Sequence, residues 1–312
     1  MLILAGANAL TDGSSAIAKR MGISDLVVGL TVVAFGTSAP ELAISVLSAM
    51  AGNAPMAIGN VVGSNIFNIL VSIGGTALVR PIVIEKSVMS LEIPMVILSS
   101  VILLVLGDSG PIDGGGISEV SRTEGIMLLI FFLLFMRYTF ASAKEPQLAA
   151  GTEATQEPIR EMPVWRSVLY VLVGLAALVW GGDKFVDGAS GIASSLGVSD
   201  AVIGLTIVAA GTSLPELATS VVAAVKGKPG LAVGNVIGSN IFNVLMVLGI
   251  SATITPLPFG GVGTADLLTL LGASLMFWLF GWIIRERTIT RAEGGVMTAA
   301  YVAYVAYLIS QL

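Results

Sequence analysis

The chain has 312 residues, 55% of them hydrophobic and only 11% charged, with 37 glycines and a formal net charge of −5; its mean hydropathy is +0.95. That balance excludes an ordinary soluble domain, and no basic patch suggests nucleic acid. The absence of cysteine and histidine excludes disulfides, thiolate metal sites and imidazole relays, leaving oxygen groups, which suit hard cations such as calcium and sodium.

Windows of about 20 residues mark candidate membrane spans in chain order. Residues 1–18 read as the end of a first span, and MLILAGANAL alone is too short to cross a bilayer. It lacks the basic n-region and cleavage site of a signal peptide. The expectation is a first helix truncated at its N-terminus, with the native start upstream; the alternative is a half-span packed on its neighbours. Spans 2 to 5 fall at 26–49, 56–79, 88–107 and 123–141. The polar, Pro-bearing stretch 142–163 reads as a linker in water. Spans 6 to 10 follow at 166–194, 201–225, 230–254, 265–284 and 294–311. The expected fold is an all-α polytopic membrane protein of ten transmembrane helices, with repeats at 1–141 and 164–312 joined by a cytoplasmic linker at 142–163.

Two strings occur twice at an offset of 175 residues. GTSAPE at 36–41 returns as GTSLPE at 211–216, and GNVVGSNIFN at 59–68 returns as GNVIGSNIFN at 234–243. An odd number of spans per repeat forces the second copy to enter the membrane upside down, and the basic residues test this independently. Lys19 and Arg20 lie in loop 1/2, Arg80 and Lys86 in 3/4, and Arg137, Lys144, Arg160 and Arg166 in or beside 5/6. Lys226 and Lys228 lie in 7/8, and Arg285, Arg287 and Arg291 in 9/10. On the other face stands only Arg122, in an acidic 4/5 loop; Lys184 lies in or near span 6. The positive-inside rule makes the first set cytoplasmic in a cell membrane and puts both termini outside.

Each copy of the first motif breaks a helix. Pro40 offers no N–H to the Gly36 carbonyl and crowds it, so the turn Ala34–Thr37 is expected to open, and Ala209–Thr212 with it. Such a turn must face protein or a polar cavity. Thr37, Ser38 and Glu41 share the opened face, as do Thr212, Ser213 and Glu216. An isolated kink of this kind is a packing feature, but a buried charge costs about 2.5–3.5 kcal/mol even on gentle insertion scales. Two glutamates at matched places, each near Thr and Ser, point to an oxygen cage for a divalent cation. In the second motif the glycines Gly59, Gly63, Gly234 and Gly238 read as helix-packing residues. Asn60, Ser64, Asn65 and Asn68 recur as Asn235, Ser239, Asn240 and Asn243; Ser64 and Asn68 share a face and carry oxygens that can coordinate a cation. The duplicated Asp12/Asp187 and Asp25/Asp200 read as span-end residues.

These paired blocks, over nearly the whole chain, resemble the alpha repeats of the sodium/calcium exchanger family, prokaryotic type, within the calcium:cation antiporter superfamily. The resemblance implies Glu41 and Glu216 as central calcium and sodium ligands, assisted by the carbonyls of Thr37 and Thr212. It implies flanking sodium sites from the Ala34 and Ala209 carbonyls with Ser38, Ser213, Ser64 and Ser239. Asn68 matches the family's span 3 amide. At the equivalent span 8 position many relatives carry Asp, whereas this chain has Asn243, which argues against potassium co-transport. Two carboxylates neutralise one calcium ion or most of the charge of several sodium ions, and an empty charged site resists occlusion, so exchange becomes obligatory. The implied motion slides spans 1 and 6 against spans 2, 3, 7 and 8. A proton/calcium antiporter on the same fold and a cation channel are the competing readings; no nucleophile–base pair or cofactor fingerprint points to an enzyme, and no protein partner is implied.

Overall fold

The computed structural model describes residues 1–109, 115, 117–142, 162–197, 203–283 and 287–311. Almost all of the expected linker, and Asp200 with it, lies outside the described residues. Helix α1 is Leu2–Met21, closed by Gly22 in the left-handed conformation (φ 64°), with Lys19 and Arg20 in its last turn, where their charge complements the helix dipole. Helix α2 has two arms, Asp25–Thr37 and Ala39–Met50. It is followed by α3 (Ala54–Val79), α4 (Val88–Gly107) and α5 (Arg122–Ala141). Helix α6 (Val164–Ser195) is 32 residues long. Helix α7 again has two arms, Thr206–Thr212 and Leu214–Val225. Helices α8 (Pro229–Ile254) and α9 (Thr264–Ile283) and then α10 (Arg291–Ser310) complete the order.

Among the described residues, seven helices are long and apolar enough to cross a membrane, and nine if each bent pair is one span. Helix α1 is not among them; its 20 residues include Asp12, Lys19 and Arg20. The chain is an all-α membrane protein. The most apolar windows of α3 and α8 are 89% and 94% buried, those of α5 and α6 only 22%. So α3 and α8, which carry the second motif, form the protein core, whereas the side chains of α5 and α6 mostly face outward, as apolar residues can only in lipid.

Glycine decides how closely the central helices approach. A Cβ on Gly234 of α8 would lie 2.5 Å from the Leu26 carbonyl of α2, and one on Gly238 would lie 2.8 Å from the Leu30 carbonyl. The packing role expected of these two glycines is therefore what the structure shows. In α1, a Cβ on Gly6 would meet the Gly174 carbonyl of α6 at 2.8 Å. Contacts also recur at repeat-related places: Gly74 of α3 abuts Gly294 of α10, and Gly249 of α8 abuts Gly125 of α5.

Two short antiparallel ladders tie loops together. Strand β1 (Ile82–Val83) pairs with β4 (Thr288–Ile289), and β2 (Glu119–Val120) pairs with β3 (Leu257–Pro258). Beside them, Arg291 donates to the Val79 carbonyl at the end of α3, and Arg122 donates to the Ile254 carbonyl at the end of α8, both at 3.2 Å. Each guanidinium thus satisfies a last-turn acceptor.

Gly234→Ala is expected to lower the melting temperature in detergent, because a methyl must displace backbone at a crossing that cannot yield; overpacking of this kind costs about 1–3 kcal/mol. Gly188→Ala, with no atom within 4 Å of its Cβ, is expected to leave it unchanged or raise it.

Candidate functional site

The two motifs place their residues at two helix breaks of matched shape. The arms of α2 meet at 44° and those of α7 at 43°. The break falls on Ser38 (φ −85°, ψ 7°) and on Ser213 (φ −86°, ψ 3°). Pro40 and Pro215 stand in the first turn of the second arms, where a missing N–H is not needed. Each proline therefore starts a new helix instead of unwinding the old one. The turn expected to open stays bonded at its beginning: Ser38 N–H donates to the Ala34 carbonyl at 3.0 Å and Ser213 N–H to the Ala209 carbonyl at 3.1 Å. The Ala34 and Ala209 oxygens are thus engaged within their own helices, with the Thr37 and Thr212 hydroxyls also near them at 3.4 and 3.3 Å.

Glu41 and Glu216 lie in the first turn of the second arms, at the positive end of a short helix dipole. Both are fully buried. Each carboxylate is held by the opposite half of the molecule: Ser213 Oγ donates to Glu41 Oε1 and Ser38 Oγ donates to Glu216 Oε1, both at 3.0 Å. Ser239 Oγ donates to Glu216 Oε1 at 3.1 Å. Its repeat mate Ser64 instead stands 3.3 Å from Thr212 Oγ1 and 3.5 Å from the Ala209 carbonyl. Oε2 of both glutamates has no hydrogen-bond partner among the described residues. Two buried acceptors of this kind, unpaired at matched positions, are costly in an apolar interior.

A second layer fixes the first. Thr37 Oγ1 donates to the Val33 carbonyl at 3.0 Å and lies 3.1 Å from Asn235 Oδ1; Thr212 Oγ1 donates to Val208 at 3.0 Å and lies 3.4 Å from Asn60 Oδ1. Asn60 Nδ2 donates to the Glu41 carbonyl at 3.2 Å and to Ser45 Oγ at 3.0 Å. Asn235 Nδ2 does the same to the Glu216 carbonyl at 3.2 Å and Ser220 Oγ at 3.1 Å.

Of the residues singled out from sequence, Thr37, Ser38, Glu41, Ser64, Thr212, Ser213, Glu216 and Ser239 come together in this network. Asn68 and Asn243 are buried at the start of π-helical turns, one helical turn beyond Ser64 and Ser239. No hydrogen bond joins them to the carboxylates directly: Asn68 Oδ1 accepts from Ser72 Oγ at 3.4 Å, and Asn243 Nδ2 donates to Asn65 Oδ1 at 3.1 Å. Asn68 Nδ2 and Asn243 Oδ1 are without a partner among the described residues. Sequence reasoning singled out Asn60 and Asn235 among the duplicated polar residues without naming them as ligands, and passed over Ser45 and Ser220. Their duplication at the common offset of 175 was the available signal.

Among the described residues no three carboxylates gather into a metal site. The donor set is two carboxylates amid hydroxyls, amides and carbonyls, a hard, low-charge oxygen cage suited to calcium or sodium.

Comparison with known proteins decides the family. A sequence profile described as "Sodium/calcium exchanger protein" matches residues 1–141 and 166–310. The chain belongs to the sodium/calcium exchanger family. Within it, the chain is 38% identical to CaxA of Alkalimonas amylolytica over 99% of this chain and 96% of that one. It is 31% identical to the sodium/calcium exchanger MaX1 of Methanosarcina acetivorans, over 99% and 95% of the two chains. Solved structures of the sodium-calcium exchanger NCX_Mj superpose with a TM-score of 0.79 at 33% identity, covering 98% of this chain and 94% of that one. Exchanger-family membership makes the chain a multi-pass membrane antiporter of cations.

Ser38→Ala and Ser213→Ala each remove one donor to a buried carboxylate. Ser213→Ala is expected to cost about 1.5–3 kcal/mol, the range for a hydrogen bond to a charged group, and Ser38→Ala less, because Glu216 keeps Ser239 as a donor; both are read as thermal shifts in detergent with ions chelated. Equal shifts would show that Ser239 does not share the load.

Proposed function

We propose that the protein exchanges calcium for sodium across the cell membrane by alternating access to a site on Glu41 and Glu216. The observation that carries this reading is the pair of unpaired, fully buried Oε2 atoms. Each carboxylate keeps one oxygen without a donor, and in an apolar interior such an oxygen calls for a cation or a proton to balance its charge. One calcium ion matches two carboxylates. The hydroxyl, amide and carbonyl oxygens around them suit sodium in the same place.

The ligand set we propose is the carboxylates with the Thr37 and Thr212 carbonyls for calcium. Ser38, Ser213, Ser64, Ser239 and the Ala34 and Ala209 carbonyls would flank them for sodium, with Asn68 and Asn243 completing the cage as neutral amides. The neutral Asn243 favours sodium-driven transport without potassium.

We read the architecture as ten spans in two inverted repeats, 1–141 and 164–312. Three observations support it. The π-helical turns recur at the offset of 175, Gly29–Val33 with Gly204–Val208 and Asn68–Ile73 with Asn243–Val247. The strand pairs join loop 3/4 to 9/10 and loop 4/5 to 8/9, which places each pair on one face, as inverted topology demands. The basic residues then cluster on the face of loops 1/2, 3/4, 7/8 and 9/10, which we take as cytoplasmic.

The packing of α1 and α6 favours alternating access. The second half of α1 is buried, Thr11, Gly13, Ser14, Ser15 and Ala16 included. Gly6 meets Gly174 and Ala177 of α6, and Gly13 meets Ser167, Tyr170 and Val171, a continuous close seam along which the proposed sliding would run.

In sealed proteoliposomes, calcium uptake driven by an outward sodium gradient is expected, insensitive to added potassium and reduced to background by Glu41→Gln or Glu216→Gln. Uptake that follows a proton gradient and ignores sodium would make the protein a proton/calcium antiporter; uptake that survives both substitutions would remove the glutamates from the site.

A further inference from the structure

We propose that Asn60 and Asn235 are positioning residues that set the size of the ion cage by tying each half-site to the other. The inference deepens the exchange reading above and rests on it. Both side chains are fully buried. Each amide spans three groups: its nitrogen holds the carbonyl of the glutamate and a serine of its own repeat, and its oxygen meets the threonine hydroxyl of the other repeat. That threonine belongs to the helix break whose carbonyl we assign to calcium. Asn60 therefore fixes the spacing between Glu41 and the Thr212 turn, and Asn235 that between Glu216 and the Thr37 turn. Neither needs to touch the ion. Calcium tolerates ligand distances of about 2.3–2.6 Å, so a shift of a few tenths of an ångström between the halves changes which ion fits.

The test measures affinity and selectivity together. Outer-layer partners of metal ligands typically contribute about ten-fold or more to affinity. Asn60→Ala is expected to weaken calcium binding about ten-fold by calorimetry on the purified protein, and to raise KM for calcium while the maximal uptake rate per folded molecule changes less. The ratio of strontium to calcium affinity is expected to rise as the cage loosens. Thr212→Val keeps the carbonyl and removes the hydroxyl; it is expected to reproduce the selectivity shift, and the double variant is expected to fall short of the summed losses. Unchanged affinity and selectivity in both single variants, or additive losses, would overturn the proposal. Asn235→Ala with Thr37→Val repeats the cycle should Asn60→Ala fail to fold. Calorimetry needs no counter-ion, so absence of sodium-driven uptake in the unmodified protein would refute the exchange reading and leave this test intact.

A separate observation, a break in the repeat symmetry, carries a second inference: we propose that the charge cluster on the basic face is a latch that biases the carrier against opening on that side. Lys226 Nζ lies 2.6 Å from Asp12 Oδ1 and 3.4 Å from the Asn8 carbonyl, fastening the end of α7 to α1. Arg80 donates to the Ala224 and Val225 carbonyls at 3.1 and 2.9 Å. Burial holds the Lys228 ammonium below the ordinary lysine range, while Asp25 and Asp12 raise it and Lys226 lowers it. The repeat mates of Lys226, Lys228 and Arg80 are Ala51, Asn53 and Thr255. Asp187, the mate of Asp12, forms an ion pair only with Lys184 of its own helix among the described residues. Among the described residues no ion pair joins α6 to another helix.

The chain has no cysteine, so single reporters can be introduced. Ser15→Cys reports on the basic-face seam and Ser190→Cys on its mate, each read as the labelling rate with a membrane-impermeant maleimide. Lys226→Ala is expected to raise labelling of the first reporter about two- to five-fold, the range of a partly exposed ion pair, and to lower that of the second. The Asp12→Lys/Lys226→Asp swap is expected to restore both. Unchanged rates, or a rise at both reporters, would overturn the latch. Labelling reads access alone and so stands apart from the identity of the transported ions.

Discussion

Two carboxylates buried among apolar helices constrain everything else in this molecule. A lone glutamate at such depth is strongly destabilising, and here each is braced by a serine from the opposite half. Neither half-site is complete alone. The glutamates sit where they do because each helix stops at a serine and restarts at a proline, which places the acid in the first turn of a new helix.

The close crossings of α2 with α8 support the layer behind the carboxylates. Thr37 of α2 reaches Asn235 of α8 where the two backbones nearly touch, and Gly234 and Gly238 permit that approach. Helices α1 and α6 serve a different purpose. They lie against each other through Gly6 and Gly174, outside the central group, and are the pair assigned to the movement proposed for transport. The core and the α1–α6 pair are thus built from one material, small residues, used with different neighbours.

Much of this was legible in the chain. The apolar runs marked the helices, since a helix must be apolar to cross lipid, and among the described residues nine of the ten expected spans, counting each bent pair as one, coincide with helices long and apolar enough to cross a membrane. The duplicated motifs marked the glutamates. Less legible was the state of the Ala34 and Ala209 carbonyls. Proline chemistry alone suggested an opened turn, whereas the backbone bends at Ser38 and Ser213 and keeps those carbonyls bonded. A sequence shows that an N–H is missing; it does not show whether the chain responds by unwinding or by starting again. The role of Asn60 was hidden for a similar reason, because its partners come from both repeats.

By itself the sequence determined the class of the protein, the place of its helices, the repeat and the family, because each depends on composition or on residues close in the chain. Tertiary structure alone decided that Ser38 serves Glu216 and Ser213 serves Glu41, and that Ser64 and Ser239 differ in their partners. Such choices depend on how two halves meet, and local residue patterns carry no distance between them.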